Sequence, residues 1–176
     1  MTAPFLLFTL AGLGIFYLQN LIFFSNVRLR LLALLIFFVA LRPSLALGIS
    51  LGLALGLLQD SYAATPFGLH LGASLMLVAT ARFLRPRMLL QRAGSLLLAG
   101  LAALVVQEGT WQLIMLVSRG PGILTGNQLK YHGLEILGSL ALAPLMAILV
   151  KGVEAVLRRW GWRPPREGAL SVSSEQ

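Results

Sequence analysis

Apolar residues run in long blocks along this chain, and polar residues gather in the short gaps between them. A helix that crosses a bilayer needs about 20 apolar residues. The blocks predict such helices from Pro4 to about Phe24, from Phe67 to about Phe83, from Ala93 to Val117 and from Gly133 to about Leu157. The turn Ser25 to Arg30, the basic loop Arg82 to Arg92 and the polar loop Ser118 to His132 separate them. Between Leu31 and Leu58 the pattern is interrupted. Leu31 to Leu41 is apolar but makes only about 16 Å of helix, Arg42-Pro43 follows, and Leu45 to Leu58 resumes the apolar run.

The interruption can be read in two ways. One kinked helix places Arg42 near mid-bilayer, at a cost of about 2.5–3.5 kcal/mol on insertion scales. Two shorter helices place it at an interface and give six spans. A residue before proline disfavours helix, which supports a turn. Basic residues concentrate on the cytoplasmic side of membrane proteins. Six spans with both termini inside put Arg42, Arg82, Arg85, Arg87, Arg92, Lys151, Arg158, Arg159, Arg163 and Arg166 inside, ten against Arg28, Arg30, Arg119 and Lys130 outside. Five spans give eleven against two, with Arg42 in the membrane. The charge count slightly prefers five, and the buried arginine and the proline favour six, which is the reading adopted.

Composition agrees with the pattern. Hydrophobic residues make up 57% of 176 positions and charged residues 11%, against roughly 25% charged in soluble domains. The expectation is an all-α, polytopic protein of a bacterial inner membrane. It has a single transmembrane domain over 1–157 and a cytoplasmic tail over 158–176 that is basic, then polar and flexible. The first helix is read as retained rather than as a cleaved signal peptide. The net charge of +8 flanks the apolar runs, as topology determinants do, so nucleic acid is not an expected partner. With no cysteine and two histidines, thiolate metal sites are excluded and neither a metal nor a cofactor is expected. No nucleophile elbow, phosphate-cradling loop or HExxH motif is present, so the chain is read as non-enzymatic.

Four features could carry function. Ser44, Gly48, Gly52 and Gly56 recur at spacing four along one helix ridge, a groove for a closely packed helix of this chain or of another. Asp60 continues that spacing. It is either a charge or cap at a helix end, or a recognition carboxylate held by a partner's donor. The embedded acids are expected in the outer half of the membrane, with none in the inner half of a span. Glu108, Trp111, Gln112 and Met115 share a helix face, and Glu135 falls in the first turn of the last span. Together with Asp60 they predict an outward polar cavity with Lys130, Tyr131 and His132 near its rim, or else a set of polar contacts holding helices together. On the inside, Arg82, Arg85 and Arg87, and Arg158, Arg159, Trp160 and Trp162, combine charge with interface-seeking rings. Attraction to anionic lipid headgroups of about 1 kcal/mol per charge accounts for both clusters.

The stretch from Pro43 to Leu71, with Gly52, Gly56, Asp60, Pro66 and Gly68, resembles the MreD family of rod shape-determining proteins. There a proline opens the third segment, a glycine-rich helix ends in an aspartate, and a short loop leads to a glycine at the start of the next helix. The resemblance implies a six-helix fold like the substrate-binding subunits of energy-coupling-factor transporters. It also implies a non-enzymatic scaffold of the elongasome, the cell-wall elongation machinery. MreC is the implied direct partner, with MreB, RodA and a class B penicillin-binding protein in the larger complex. The glycine row and the cavity are then candidate surfaces for the MreC membrane helix. A different reading of the same cavity is the vitamin- or cation-binding subunit of a transporter.

Overall fold

A computed structural model of the chain describes residues 2–22, 29–63, 66–86, 93–119 and 126–162. All regular structure among them is helical: α1 (Thr2–Ile22), α2 (Leu31–Ala40), α3 (Leu45–Tyr62), α4 (Leu69–Leu84), α5 (Ala93–Arg119), α6 (Gly126–Ala141) and α7 (Ala143–Arg159). Three of these, over Thr2–Asn20, Leu45–Tyr62 and Gly94–Ser118, are long and apolar enough to cross a membrane. The pair α6 and α7, bent by 47°, makes a fourth if counted as one span.

The break at Arg42-Pro43 is present. Helix α2 stops at Ala40, and Ser44 starts α3 as an N-cap, its side chain accepting the Leu47 N–H at 3.3 Å. Proline has no N–H and holds its predecessor out of the helical region, so the chain turns there. Every residue of α2 is buried. Leu-Leu-Ala-Leu-Leu-Ile-Phe-Phe-Val-Ala has no polar face to offer, and a helix that is apolar all round belongs in a core. Ten residues span about 15 Å, and α2 is packed against α1, α3, α4, α5 and α7.

The last span differs from expectation. The segment expected as one helix over Gly133 to about Leu157 is two helices, and α6 begins at Gly126, inside the expected loop Ser118 to His132. Pro144 stands in the first turn of α7. It cannot donate to the turn before it, so the ladder breaks at Leu142, whose N–H reaches Ser139 O at 3.0 Å instead. Helix α3 also extends past Leu58, with Gln59, Asp60 and Ser61 inside its last turns.

The glycine row is used within the bundle. Gly48, Gly52 and Gly56 lie buried on α3, facing α4 and the end of α2. A Cβ at Gly56 would sit 2.9 Å from Leu71 Cα and 3.3 Å from His70 O, both backbone, whereas one at Gly52 would meet the Val78 Cγ2 methyl at 3.2 Å. The groove is therefore filled by α4 and cannot also receive a partner helix. The row closes the distance between α3 and α4, which contribute Gln59 and His70 to one of two polar ends. At one end Phe8, Arg42, Ser44, Glu154, Arg158 and Trp162 surround a common cavity; at the other Gln19, Arg30, Gln59, His70, Gln107, Trp111, His132 and Glu135 do.

Gly56→Ala is expected to lower stability in detergent by about 1–3 kcal/mol, the cost of overpacking, because backbone cannot move aside. Gly52→Ala, which meets only a methyl group, is expected to cost less. Unfolding midpoints of the two variants, compared with the unaltered chain, check the ranking.

Candidate functional site

Asp60 is a helix cap. It is buried near the C-terminal end of α3, where its Oδ2 accepts the N–H groups of Gly68 (3.0 Å) and Leu71 (3.1 Å) and its Oδ1 that of His70 (2.8 Å). The first turn of any helix leaves N–H groups without intrahelical partners, and a negative charge there is favoured by the helix dipole. No side chain of the α4 N-cap supplies an acceptor, because that residue is Gly68 in the left-handed region at φ 93°. Glycine adopts it without the Cβ penalty. Asp60 thus welds α3 to α4; of the residues expected around one cavity, Trp111, His132 and Glu135 line it, and Asp60, Glu108 and Gln112 do not.

The cavity end is organised by Arg30, which sequence reasoning counted only as a topology charge. Its guanidinium forms an ion pair with Glu108 Oε2, lies 3.5 Å from Glu135 Oε2, and approaches His132 Nδ1 at 3.4 Å. Glu108 Oε1 accepts from Gln112 Nε2 at 2.9 Å, one helical turn on, and lies 3.5 Å from His132 Nδ1. His132 and Glu135, three residues apart on α6, are 3.3 Å apart. The Trp111 ring stands 5.9 Å from the His132 ring at 50°. Ser139, fully buried, donates to Glu135 O at 2.6 Å and accepts the Arg30 N–H at 2.8 Å, so α6 serves as the cap that α2 lacks. The side chains of Glu108 and Glu135 are 7% and 15% exposed, and that of Arg30 is 17% exposed. Carboxylates this buried require a counter-charge, and one arginine serves both. Lys130 and Tyr131 are exposed on α6.

A further acid that the sequence did not single out, Glu154, belongs to the opposite end of the bundle. It is buried on α7 and its Oε1 accepts from Arg42 Nε at 2.9 Å. An arginine next to a helix-breaking proline inside an apolar sequence needs such a partner, and α7 presents one. Arg82 Nη2 donates to Pro43 O at 3.2 Å, fastening α4 to the same turn. Arg158, Trp162 and Glu154 line the cavity of about 160 Å³ there, and Trp160 is exposed. Arg85 and Arg159 extend the basic character of this end, and Arg87 lies outside the described residues.

The cavity at the Arg30 end measures about 320 Å³. It carries no activated nucleophile, and among the described residues no group of three or more His, Cys, Asp or Glu is placed to hold a metal ion. The signal that could have found Arg30 was available: acids embedded in apolar segments need a counter-ion on the same side of the membrane. No protein-family model, curated protein or solved structure matches the chain.

Two outcomes are expected of this geometry. Arg30→Met leaves two carboxylates without their cation and is expected to cost about 3–5 kcal/mol; adding Glu108→Gln should recover part of it by removing one of them. Chemical or thermal unfolding of the single and double variants reads both. Asp60→Asn is expected to cost about 1.5–3 kcal/mol, the value of a hydrogen bond to a charged group, by turning an amide NH₂ toward N–H donors. An unfolding midpoint unchanged by that substitution would remove the capping role.

Proposed function

We propose that this chain is a non-enzymatic membrane scaffold of the bacterial cell-wall elongation machinery, binding the membrane helix of MreC and contributing to rod shape. The observation that carries the reading is the α3–α4 hairpin. Every residue that marks the resemblance to the MreD family and that is described in the interior of this hairpin has a structural task there. Gly52 and Gly56 admit α4, Asp60 caps it, and Gly68 makes the left-handed entry. That these residues act together in one hairpin is what supports the reading.

On this reading six segments cross the inner membrane, with α6 and α7 as one broken span and the short α2 covered by its neighbours. The same reading implies a fold that resembles the substrate-binding subunits of energy-coupling-factor transporters. The end that gathers Arg42, Arg82 and Arg158 faces the cytoplasm together with both termini. With the glycine groove occupied, the surface left for MreC is the outer end, around the cavity and the exposed Tyr131, Leu134 and Leu137 of α6. MreB, RodA and a class B penicillin-binding protein belong to the larger complex, and the basic cytoplasmic end meets anionic lipid. A second reading, a small-molecule-binding subunit of a transporter, is favoured by one observation, the convergence of polar groups on the outer cavity.

Affinity purification of the tagged chain from its native membrane in mild detergent, followed by mass spectrometry of proteins and small molecules, separates the two. MreC and elongation proteins are the expected co-purifying species. Stoichiometric vitamin and ATPase subunits without MreC would sink the scaffold reading.

A further inference from the structure

We propose that the outer cavity is a binding site for a monovalent organic cation, an ammonium or guanidinium group that donates N–H hydrogen bonds. The inference goes beyond the scaffold reading, and neither depends on the other.

Charge is the first argument. The cluster holds two carboxylates, Glu108 and Glu135, against one guanidinium, Arg30, an excess of one carboxylate. The excess is not shared equally. Glu108 is engaged through both oxygens, by Arg30 on one and Gln112 on the other, and stands behind the cavity wall. Glu135 is in the wall, and its side-chain contacts, Arg30 at 3.5 Å and His132 at 3.3 Å, both fall on Oε2. The incompletely neutralised carboxylate is the one that faces the space.

The second argument is independent of charge. Gln107, only 8% exposed, lines the same cavity, and its Oε1 is buried without a hydrogen-bond partner. Buried acceptors are normally satisfied, because leaving one unpaired forfeits its hydration without return. A carbonyl oxygen accepts and cannot donate, so the missing group is a donor. The Trp111 ring in the same wall suits a cation, whose charge its π face attracts. The volume of about 320 Å³ lies at the small end of ligand pockets, which run from about 300 to 1,000 Å³. An anion would meet Glu135 and the Gln107 carbonyl, with Arg30 already committed to Glu108. A bare metal ion lacks a ligand set among the described residues.

The test uses the full chain in mild detergent, with its unfolding midpoint titrated against methylguanidinium and propylammonium. Methylurea, of nearly the same shape as methylguanidinium but uncharged, is the control. A saturable rise is expected with both cations and not with methylurea. Glu135→Gln and Gln107→Met should each weaken probe binding by about tenfold or more, as loss of one buried hydrogen bond to a charged group does. Gln107→Met guards against a folding defect: it replaces an unpaired amide by an apolar chain of similar length, so the unliganded midpoint should stay or rise. The proposal is overturned by no saturable rise, by an equal response to methylurea, or by wild-type probe affinity in Gln107→Met. Organic extraction of chain purified from its native membrane reads the source of the cation. A stoichiometric amine marks a free ligand, and its absence beside saturable probe binding marks a basic side chain of a partner.

Discussion

An arginine stands at each end of a helix that has no polar side chain of its own. Arg30 precedes α2 and Arg42 follows it, and both lie against a core in which an unpaired guanidinium is costly. Each is paired with a carboxylate on another helix. Glu108 on α5 and Glu135 on α6 serve the first, and Glu154 on α7 serves the second. Much of the remaining arrangement follows. Helix α7 packs along α2, and α6 meets the chain at Arg30, just before α2 begins. Helix α5 has to present the face that carries Glu108, Trp111 and Gln112 toward Arg30. Such pairs add little net stability over apolar residues of the same size, but losing one partner is expensive. Their contribution is to fix which helix stands where.

The α3–α4 hairpin solves a different problem by different means. Between helices in lipid there is no hydrophobic driving force, and close backbone approach over small residues takes its place. Gly48, Gly52 and Gly56 permit that approach, and Asp60 then reaches the open N-terminal turn of α4. The two devices depend on each other. Without the glycines the carboxylate would stand too far from the N–H groups, and without the carboxylate the first turn of α4 would be buried with its donors unmet. The residues that look most like a functional motif are therefore structural, while the polar chemistry lies just before α2, at Arg30, and on α5 and α6.

What could be read in the sequence divides along the same line. The helical class, the turn at Arg42-Pro43 and the shared face of Glu108, Trp111 and Gln112 are local matters of period and punctuation, legible within a few turns. The two alternatives left for Asp60 and for the glycine row were the right ones, but choosing between them needed the packing of α4. The pairing of Arg30 was out of reach of local pattern. Its contacts to His132 and Ser139 join residues 102 and 109 positions apart, and no periodicity links them. Glu154 was missed for a further reason: with Lys151, Arg158 and Arg159 on the same helix it reads as one charge of a cytoplasmic boundary, when it is buried and paired. The break at Leu142 was hidden because Pro144 lies inside an otherwise continuous apolar run.

That break has a mechanical consequence. Glu135 and Ser139, which hold one end of α2, lie before it, and Glu154, which holds the other end, lies after it. A straight helix would couple these anchors rigidly, so that any tilt at one end levered the other. With the hydrogen-bond ladder interrupted between them, α6 is a separate arm jointed at Leu142. It is held at the Arg30 end by Glu135 and Ser139, while α7 grips Arg42. The two ends of the bundle are thereby anchored separately, each through its own helix and its own arginine.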